Sequence, residues 1–132
     1  MTGLDTSFFV RLLGRDATAL SLWRALEGTS VIAAISCLTL FEMERLALRR
    51  VISREGKDLL RQTIPHICHI VWLEEGMLTD AARVSHTYGI PGVDSLILSS
   101  LLRAGCRKII AADTHFMRYA KQGVRIVNLL QE

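Results

Sequence analysis

Four acidic residues stand where an α/β fold would gather polar groups at one end of its sheet. Asp5 closes the first predicted strand, and Asp113 follows a later strand at residues 108–111. Glu42 lies in the first turn of the helix predicted after the second strand, and Asp94 opens another helix. Ligand sites in parallel sheets form beyond the carboxyl ends of the strands. The four carboxylates are therefore predicted to share one rim.

Carboxylates that lie this close together repel one another and raise one another's pKa unless a cation neutralises them. Oxygen ligands suit hard divalent ions, so the rim is predicted to hold Mg²⁺ or Mn²⁺. Such a cation lowers the pKa of a bound water and stabilises the charge that builds on a phosphodiester during hydrolysis. These residue types therefore indicate metal-assisted hydrolysis.

Each acid also has a structural interpretation. Asp94 stands at a helix start, where aspartate is a common cap. Glu42 completes a capping box over residues 39–42 and can pair with Arg45 one turn further on. The two acids at strand ends can form turns or caps there. The joint order of the four along the chain, rather than any single acid, favours the shared site.

Alternating short strands and helices are predicted to position these acids. Apolar, β-branched runs predict strands at residues 3–5, 31–35, 66–72, 108–111 and 124–127. Helical spacing and glycine stops predict helices at residues 8–13, 17–26, 39–54, 77–88 and 93–104, with a short helical turn at 115–119. The order βααβαβααβαβ predicts a three-layer α/β/α fold with a central, mainly parallel sheet.

Size and composition bound the class of protein. The 132 residues predict one domain over residues 1–132, and 50% hydrophobic with 22% charged residues excludes disordered and collagen-like chains. The uncharged stretch at residues 28–41 is shorter than the ~18 residues of a membrane helix, and no basic leader precedes an apolar run. A cytoplasmic protein with no membrane attachment is predicted.

The chain contains three cysteines, Cys37, Cys68 and Cys106. They have no paired spacing and are predicted to be reduced.

Four parts of the chain, taken in order, resemble a known family. They are LDTSFF at residues 4–9, Glu42, GIPGVDSLI at residues 89–97 and IIAADTHF at residues 109–116. Together they are similar to the PIN domain, and the similarity covers nearly the whole chain. The chain departs from the family pattern at two places: no glycine follows Glu42 closely, and Ala112 precedes Asp113 where Thr or Ser is common.

The resemblance implies a metal-dependent ribonuclease for single-stranded RNA, like the VapC-type toxins of type II toxin–antitoxin pairs. It implies that the acids hold Mg²⁺ or Mn²⁺, with Asp5, Asp94 and Asp113 as direct ligands. Glu42 then acts through water or a second cation. Ser7 matches a polar position of the family, where it either orients a ligand or forms a turn.

The basic residues suggest how RNA would be held. The formal net charge is +3, and Arg45 and Arg49 belong to a group of six basic residues between positions 45 and 61. These two arginines are predicted to contact RNA phosphates, which adds affinity without sequence choice. A solvated helix face is the alternative interpretation of the same run.

Other catalytic patterns are weak or missing. His66, Cys68 and His69 lie close in sequence, but no second pair accompanies them as a closed zinc site requires. His115 beside Asp113 can serve as an acid or a base, and we assign it no role. The sequence contains no G-x-S-x-G elbow and no glycine-rich phosphate loop.

Two other functions stay open. A receiver-type signalling domain also gathers aspartates at a sheet rim, but the chain lacks its phosphoacceptor after the third strand and its lysine at the last. A PIN-like scaffold that binds RNA or protein without cleavage is excluded by no residue pattern.

The apolar content predicts assembly. A domain of this size leaves part of its apolar surface exposed. The runs at residues 8–13 and 97–102 hold more apolar side chains than one buried stripe needs, so part of them is predicted to form the self-complementary patch of a homodimer. A cognate antitoxin is predicted to lay an apolar helix in a neighbouring groove and to place an Arg or Lys near the acids.

Overall fold

The computed structural model describes residues 1–29 and 31–131, which form a five-stranded sheet flanked by helices. The strands are β1 (Thr2–Leu4), β2 (Ala33–Ser36), β3 (Cys68–Val71), β4 (Lys108–Ala111) and β5 (Arg125–Asn128). The α-helices are α1 (Thr6–Leu13), α2 (Ala17–Glu27), α3 (Cys37–Leu48), α4 (Arg54–Ile67), α5 (Glu75–Tyr88) and α6 (Gly92–Arg103). Two 3₁₀ helices, Thr114–Arg118 and Leu129–Gln131, follow β4 and β5.

The strand order is β3-β2-β1-β4-β5, and every neighbouring pair is parallel. The direction of winding reverses between β1 and β4, because the chain first builds outward from β1 through β2 and β3 and then continues on the other side. This order differs from the 2-1-3-4-5 order of flavodoxin-like signalling domains, so the receiver alternative is wrong.

The sheet separates two apolar cores. Leu4, Phe8 and Ile110 belong to the core under α1 to α4. Ile109 and Ala111, the neighbours of Ile110 along β4, belong to the core under α5 and α6. Successive side chains of a strand point to opposite faces, so a central strand that is covered on both sides is apolar throughout. The predicted three-layer α/β/α architecture is confirmed.

The apolar runs at residues 8–13 and 97–102 lie largely in these cores, and only Val10, Leu13 and Leu102 of their apolar residues are partly exposed, so little of either run is left for the predicted patch. Phe9 packs edge-on against Trp23, with ring centroids 5.7 Å apart. Leu98 is fully buried on α6, which packs against α5 and the sheet. A helix covered on more than one side needs more apolar residues than one stripe provides.

The helix predicted over residues 39–54 begins and ends earlier than expected. Helix α3 starts at Cys37, because the hydroxyl of Ser36 accepts a hydrogen bond from the backbone N–H of Leu38 at 3.2 Å. It ends at Leu48, and Arg50 then adopts a left-handed backbone with φ of 60°. That conformation cannot continue a right-handed helix.

Helix α4 is absent from the predicted order. Its interior carries Leu60 and Ile64, which are buried one turn apart. Pro65 lies in the last turn of α4 rather than before a strand, so β3 begins at Cys68 and not at residue 66. Pro65 has no backbone N–H to donate to the preceding turn, and the helix ends two residues later at Ile67.

The longest helices, α4 and α5, have 14 residues each. Within the described ranges, no helix has both the length and the apolarity needed to cross a bilayer. The three cysteines are free thiols, as predicted, and Cys68 and Cys106 are buried.

Candidate metal centre

The predicted acids lie at the point where the winding of the sheet reverses. Asp5 follows β1 directly, and Asp113 comes two residues after β4, the neighbour of β1. The backbone N–H of Asp5 donates to the carbonyl oxygen of Ile110 at 3.0 Å, which fixes the ends of these two strands together. A crevice at such a reversal is the usual ligand site of an open parallel sheet.

Asp5 is both a helix cap and a buried acid. Its Oδ2 accepts hydrogen bonds from the backbone N–H of Ser7 at 3.2 Å and from Ser7 Oγ at 2.6 Å, so it caps the N-terminus of α1. Its Oδ1 is buried and has no hydrogen-bond partner within the described part of the chain. An unpaired buried carboxylate oxygen is costly unless a cation coordinates it. One oxygen of Asp5 therefore has a structural role, and the other fits a metal ligand.

Ser7 ties this acid to β4. While its hydroxyl donates to Asp5, Ser7 Oγ accepts a hydrogen bond from the backbone N–H of Ala112 at 2.8 Å. The position before Asp113 therefore contributes through its main chain, and the missing Thr or Ser side chain at Ala112 leaves this link intact. The Ser7 hydroxyl therefore orients Asp5 and does not form a local turn.

Removal of this link is expected to destabilise the fold. Ser7→Ala deletes both hydrogen bonds of the hydroxyl, so we expect the free energy of unfolding to fall by about 1–3 kcal/mol. Urea denaturation measures the change. Ser21→Ala on the exposed face of α2 is the matched control and should change stability by less than about 0.5 kcal/mol. Equal stabilities of Ser7→Ala and the unchanged protein would contradict the role given to this hydroxyl.

Asp94 does not cap its helix. Pro91 occupies the cap position of α6, and Asp94 is the third residue of the helix. The neighbouring hydroxyl of Ser95 donates to the carbonyl oxygen of Ile90 at 3.1 Å, and so does that of Ser85 at 2.6 Å, which anchors this first turn. The capping interpretation of Asp94 is wrong, and its carboxylate remains available for another partner.

Asp113 and His115 complete a cluster with Asp94. Asp113 caps the 3₁₀ helix by accepting a hydrogen bond from the backbone N–H of His115 at 2.8 Å, as its structural interpretation predicts. His115 Nδ1 lies 3.1 Å from Asp113 Oδ1 and 3.3 Å from Asp94 Oδ2, without the alignment of a hydrogen bond to either. Ligand atoms of the three residues lie within 4.8 Å of one another. His115, to which the sequence assigned no role, therefore borders the site.

Glu42 reaches the site from the second turn of α3. Thr6 Oγ1 donates a hydrogen bond to Glu42 Oε1 at 2.6 Å and lies 3.0 Å from Thr39 Oγ1. The capping-box interpretation is wrong, because Ser36 is the cap of α3 and Glu42 lies beyond the first turn. The Thr6 hydroxyl holds this carboxylate instead, and sequence patterns gave no sign of that contact.

Burial and mutual repulsion raise the pKa of two of these acids. Burial, with smaller contributions from Asp94 and Glu42, raises the pKa of Asp5 to about 7 against the hydrogen bonds from Ser7. Burial together with Asp113 and Glu42 raises the pKa of Asp94 to about 6, although His115 opposes the rise. The negative charge of neighbouring acids therefore contributes to both raised pKa values. A divalent cation would remove the repulsion and return both pKa values to a lower range.

The donor set suits a hard cation. The site offers carboxylate oxygens, which Mg²⁺ and Mn²⁺ prefer, and the cluster found in the described residues contains no thiolate. The imidazole of His115 is a softer ligand, which Mg²⁺ does not favour. The sequence group of His66, Cys68 and His69 does not form a metal cluster in the described residues, since the acidic cluster alone brings three ligand atoms together.

Arg45 lies on α3 three residues after Glu42, and Arg49, seven residues after Glu42, is the C-cap that follows the helix. Both side chains are exposed, and neither forms an ion pair within the described ranges. The guanidinium of Arg45 lies 5.9 Å from the ring centroid of Phe41, so the expected pair with Glu42 is not formed. Positive charge therefore extends along α3 away from the acids.

Comparison with known proteins places these features in a family. The family model described as PIN domain matches residues 4–122, which include all four acids. No curated protein sequence matches significantly.

Solved structures share the fold at low sequence identity. A Mycobacterium tuberculosis VapC toxin that cleaves the sarcin–ricin loop is 20% identical, with a TM-score of 0.73 over 95% of this chain and 99% of that one. A toxin–antitoxin complex from Klebsiella pneumoniae contains a chain that is 18% identical, with a TM-score of 0.71 over 94% of this chain and 95% of that one. FitAcB from Neisseria gonorrhoeae is 18% identical, with a TM-score of 0.65 over 97% of each chain. The match to the family model over most of the sequence shows that this chain belongs to the PIN domain family.

Proposed function

We propose that the protein is a Mg²⁺- or Mn²⁺-dependent endoribonuclease that cleaves single-stranded RNA, and that it is the toxin of a type II toxin–antitoxin pair. One observation carries the nuclease proposal: among the residues that the structure describes, a buried carboxylate oxygen of Asp5 has no hydrogen-bond partner, and it lies beside other acids at the ligand crevice of the sheet. Membership of the PIN domain family agrees with it. Solved structures of similar fold include toxins and their antitoxin complexes, which supports the second part.

The chain's own residues divide the work as follows. Asp5, Asp94 and Asp113 would hold the cation directly, and Glu42 would act through water or a second cation. When bound, the cation makes water more acidic and neutralises the negative charge that builds on the phosphodiester. Ser7 keeps Asp5 in place, and Thr6 keeps Glu42 in place, so neither acid reorganises when RNA arrives.

RNA binding would follow the positive face of α3. Arg45 and Arg49 are exposed and extend about 10 Å from Glu42 at the helical rise of 1.5 Å per residue. Their guanidinium groups would contact phosphates on the strand whose neighbouring phosphodiester lies at the acids. Contacts of this kind bind RNA without reading its bases.

Cleavage of a generic single-stranded RNA tests the proposal. We expect activity with Mg²⁺ or Mn²⁺, none in EDTA, and little with Zn²⁺, because the ligands are mainly hard oxygens. Gel electrophoresis of a labelled RNA measures the products, and a parallel preparation of Asp5→Asn controls for contaminating nucleases. Binding of the RNA without any cleavage, in every metal, would favour the scaffold alternative. Full cleavage in chelator would exclude the metal mechanism.

Exposed apolar side chains support a protein partner. Leu48, Leu59 and Trp72 are 83%, 62% and 65% exposed. An antitoxin helix that covers such side chains and places a basic residue at the acids would inhibit the enzyme. A homodimer remains part of the proposal, now built on exposed residues such as these. Light scattering at tens of micromolar tests it, and a strict monomer would refute the dimer.

A further inference from the structure

A second concave site lies between α5, α6 and the turn that leads into β5. Its volume is about 510 Å³, and four basic side chains line it together with one acid. The basic residues are Arg83, Arg103, Arg107 and Lys121, and the acid is Asp80. Pockets for small molecules typically span about 300–1,000 Å³, so the size suits a small ligand.

Most of this positive charge is not neutralised. Arg103 Nε donates to Asp80 Oδ2 at 2.9 Å, which occupies the single acid of the cavity. Arg83, Arg107 and Lys121 have no carboxylate within 4.0 Å among the residues that the structure describes. Three unpaired cations around one cavity repel one another, and an anion would relieve the repulsion.

The cavity also has a polar group without a partner and an apolar side. Ser99 lines it and is 2% exposed, and its hydroxyl has no hydrogen-bond partner within the described ranges. Water does not reach this hydroxyl from the cavity, so the polar groups that the cavity offers to a ligand are its basic side chains. Val84, Leu102 and Val124 supply an apolar wall. The cavity therefore offers partners to both an anion and an uncharged ring.

The cavity is separate from the acidic site. Arg107 immediately precedes β4, whereas Asp113 follows the opposite end of the same strand. The four residues of β4 place about 13 Å between the two ends. A ligand in the cavity would not touch the acids.

From this combination we infer that the cavity binds a phosphate-bearing small molecule of nucleotide size. Arginine guanidinium groups form paired hydrogen bonds with phosphate oxygens, and the unneutralised cations supply the opposite charge. The apolar wall accommodates the base or another ring of the ligand. This inference does not depend on the nuclease proposal, because no residue of the acidic site takes part.

Calorimetric titration of the full chain in EDTA tests the inference, since chelation prevents nucleotide binding through a metal at the acids. The probes are AMP, adenosine and inorganic phosphate. We expect AMP to bind, inorganic phosphate to compete with it, and adenosine to bind at least about tenfold more weakly because it lacks the anion. Amide chemical shifts of the unchanged protein give a second measurement, with changes expected at Ser99 and Val124.

Charge reversal locates the binding. Arg83→Glu and Arg107→Glu should each weaken AMP binding by about tenfold or more, and both residues are exposed, so the fold should persist. Arg24→Glu, on the exposed face of α2, is the matched control and should bind AMP like the unchanged protein.

Three results would overturn the inference. The first is an absence of AMP binding at millimolar concentration, and the second is equal affinity for AMP and adenosine. The third is a loss of AMP binding in Arg24→Glu as large as the loss in Arg83→Glu or Arg107→Glu. If AMP fails to bind but a single-stranded RNA oligonucleotide loses affinity in Arg107→Glu, the cavity belongs to an RNA path instead.

Discussion

Replacement of Asp5, Asp94 or Asp113 by asparagine is expected to reduce metal-dependent RNA cleavage by about a hundredfold or more. Each change keeps the size of the side chain but removes one negative charge from the proposed cation site. Even residues that merely orient metal ligands contribute about 10–100-fold, so loss of a ligand should cost at least as much. Initial rates of cleavage under saturating Mn²⁺ measure the effect.

Two further variants make this prediction specific. Asp16→Asn is the matched control, because Asp16 caps α2 much as Asp5 caps α1 but lies outside the acidic site, and asparagine caps equally well. Its cleavage rate should be unchanged. Glu42→Gln keeps an oxygen that can accept the Thr6 hydrogen bond, so we expect a smaller loss, of about tenfold. Native rates in any of the three aspartate variants would remove that residue from the site.

The second large effect concerns stability without metal. In the unfolded chain Asp5 should ionise near its ordinary pKa of 3.8, whereas the folded protein holds its pKa at about 7. Between these values the folded state binds more protons than the unfolded state, so stability falls as the pH rises through this window. Asp5 therefore lowers the free energy of unfolding least below pH 3.8, where it is protonated in both states, and most above pH 7, where it is ionised in both.

Asp5→Asn should therefore be more stable than the unchanged protein in EDTA at pH 8. The free-energy gap should be small near pH 4, grow through neutral pH, and reach on the order of 4 kcal/mol, because each pH unit between the two pKa values contributes about 1.4 kcal/mol. Urea denaturation at several pH values measures it. With Mn²⁺ the unchanged protein should become more stable than Asp5→Asn, because the cation binds only to the unchanged protein. A gap that does not vary with pH would show that Asp5 ionises normally in the folded chain.

Strand ends and their acids could be predicted from sequence because a buried parallel strand leaves a plain signal. The apolar run before Asp113 predicts β4 at the observed residues, Lys108–Ala111. The start of β2 was less predictable. Val31 and Ile32 are β-branched yet more than half exposed, and pairing begins at Ala33 because its partner in β1 is Thr2. A strand needs a neighbour as well as suitable residues.

The site was harder to predict in detail than its location. The order of the acids along the chain predicts a shared rim, but hydrogen bonds across the fold decide how each acid is used. Thr6 meets Glu42 36 positions away, and Ser7 meets Ala112 105 positions away. No local pattern contains such contacts. His115 had one local sign, its position two residues after Asp113, and a turn explains that spacing equally well.

The unpaired oxygen of Asp5 also has an evolutionary consequence. One nucleotide change converts an aspartate codon into an asparagine codon, and by the reasoning above the product folds at least as well without metal. Folding therefore does not protect this acid from replacement by asparagine, which can still cap α1, unlike a core residue such as Phe8, whose loss would destabilise the chain. Selection on the proposed metal-dependent activity would then be what keeps aspartate rather than asparagine at position 5. Where that selection relaxes, an inactive but well-folded descendant is one substitution away, and its interaction surfaces would remain free to acquire another use.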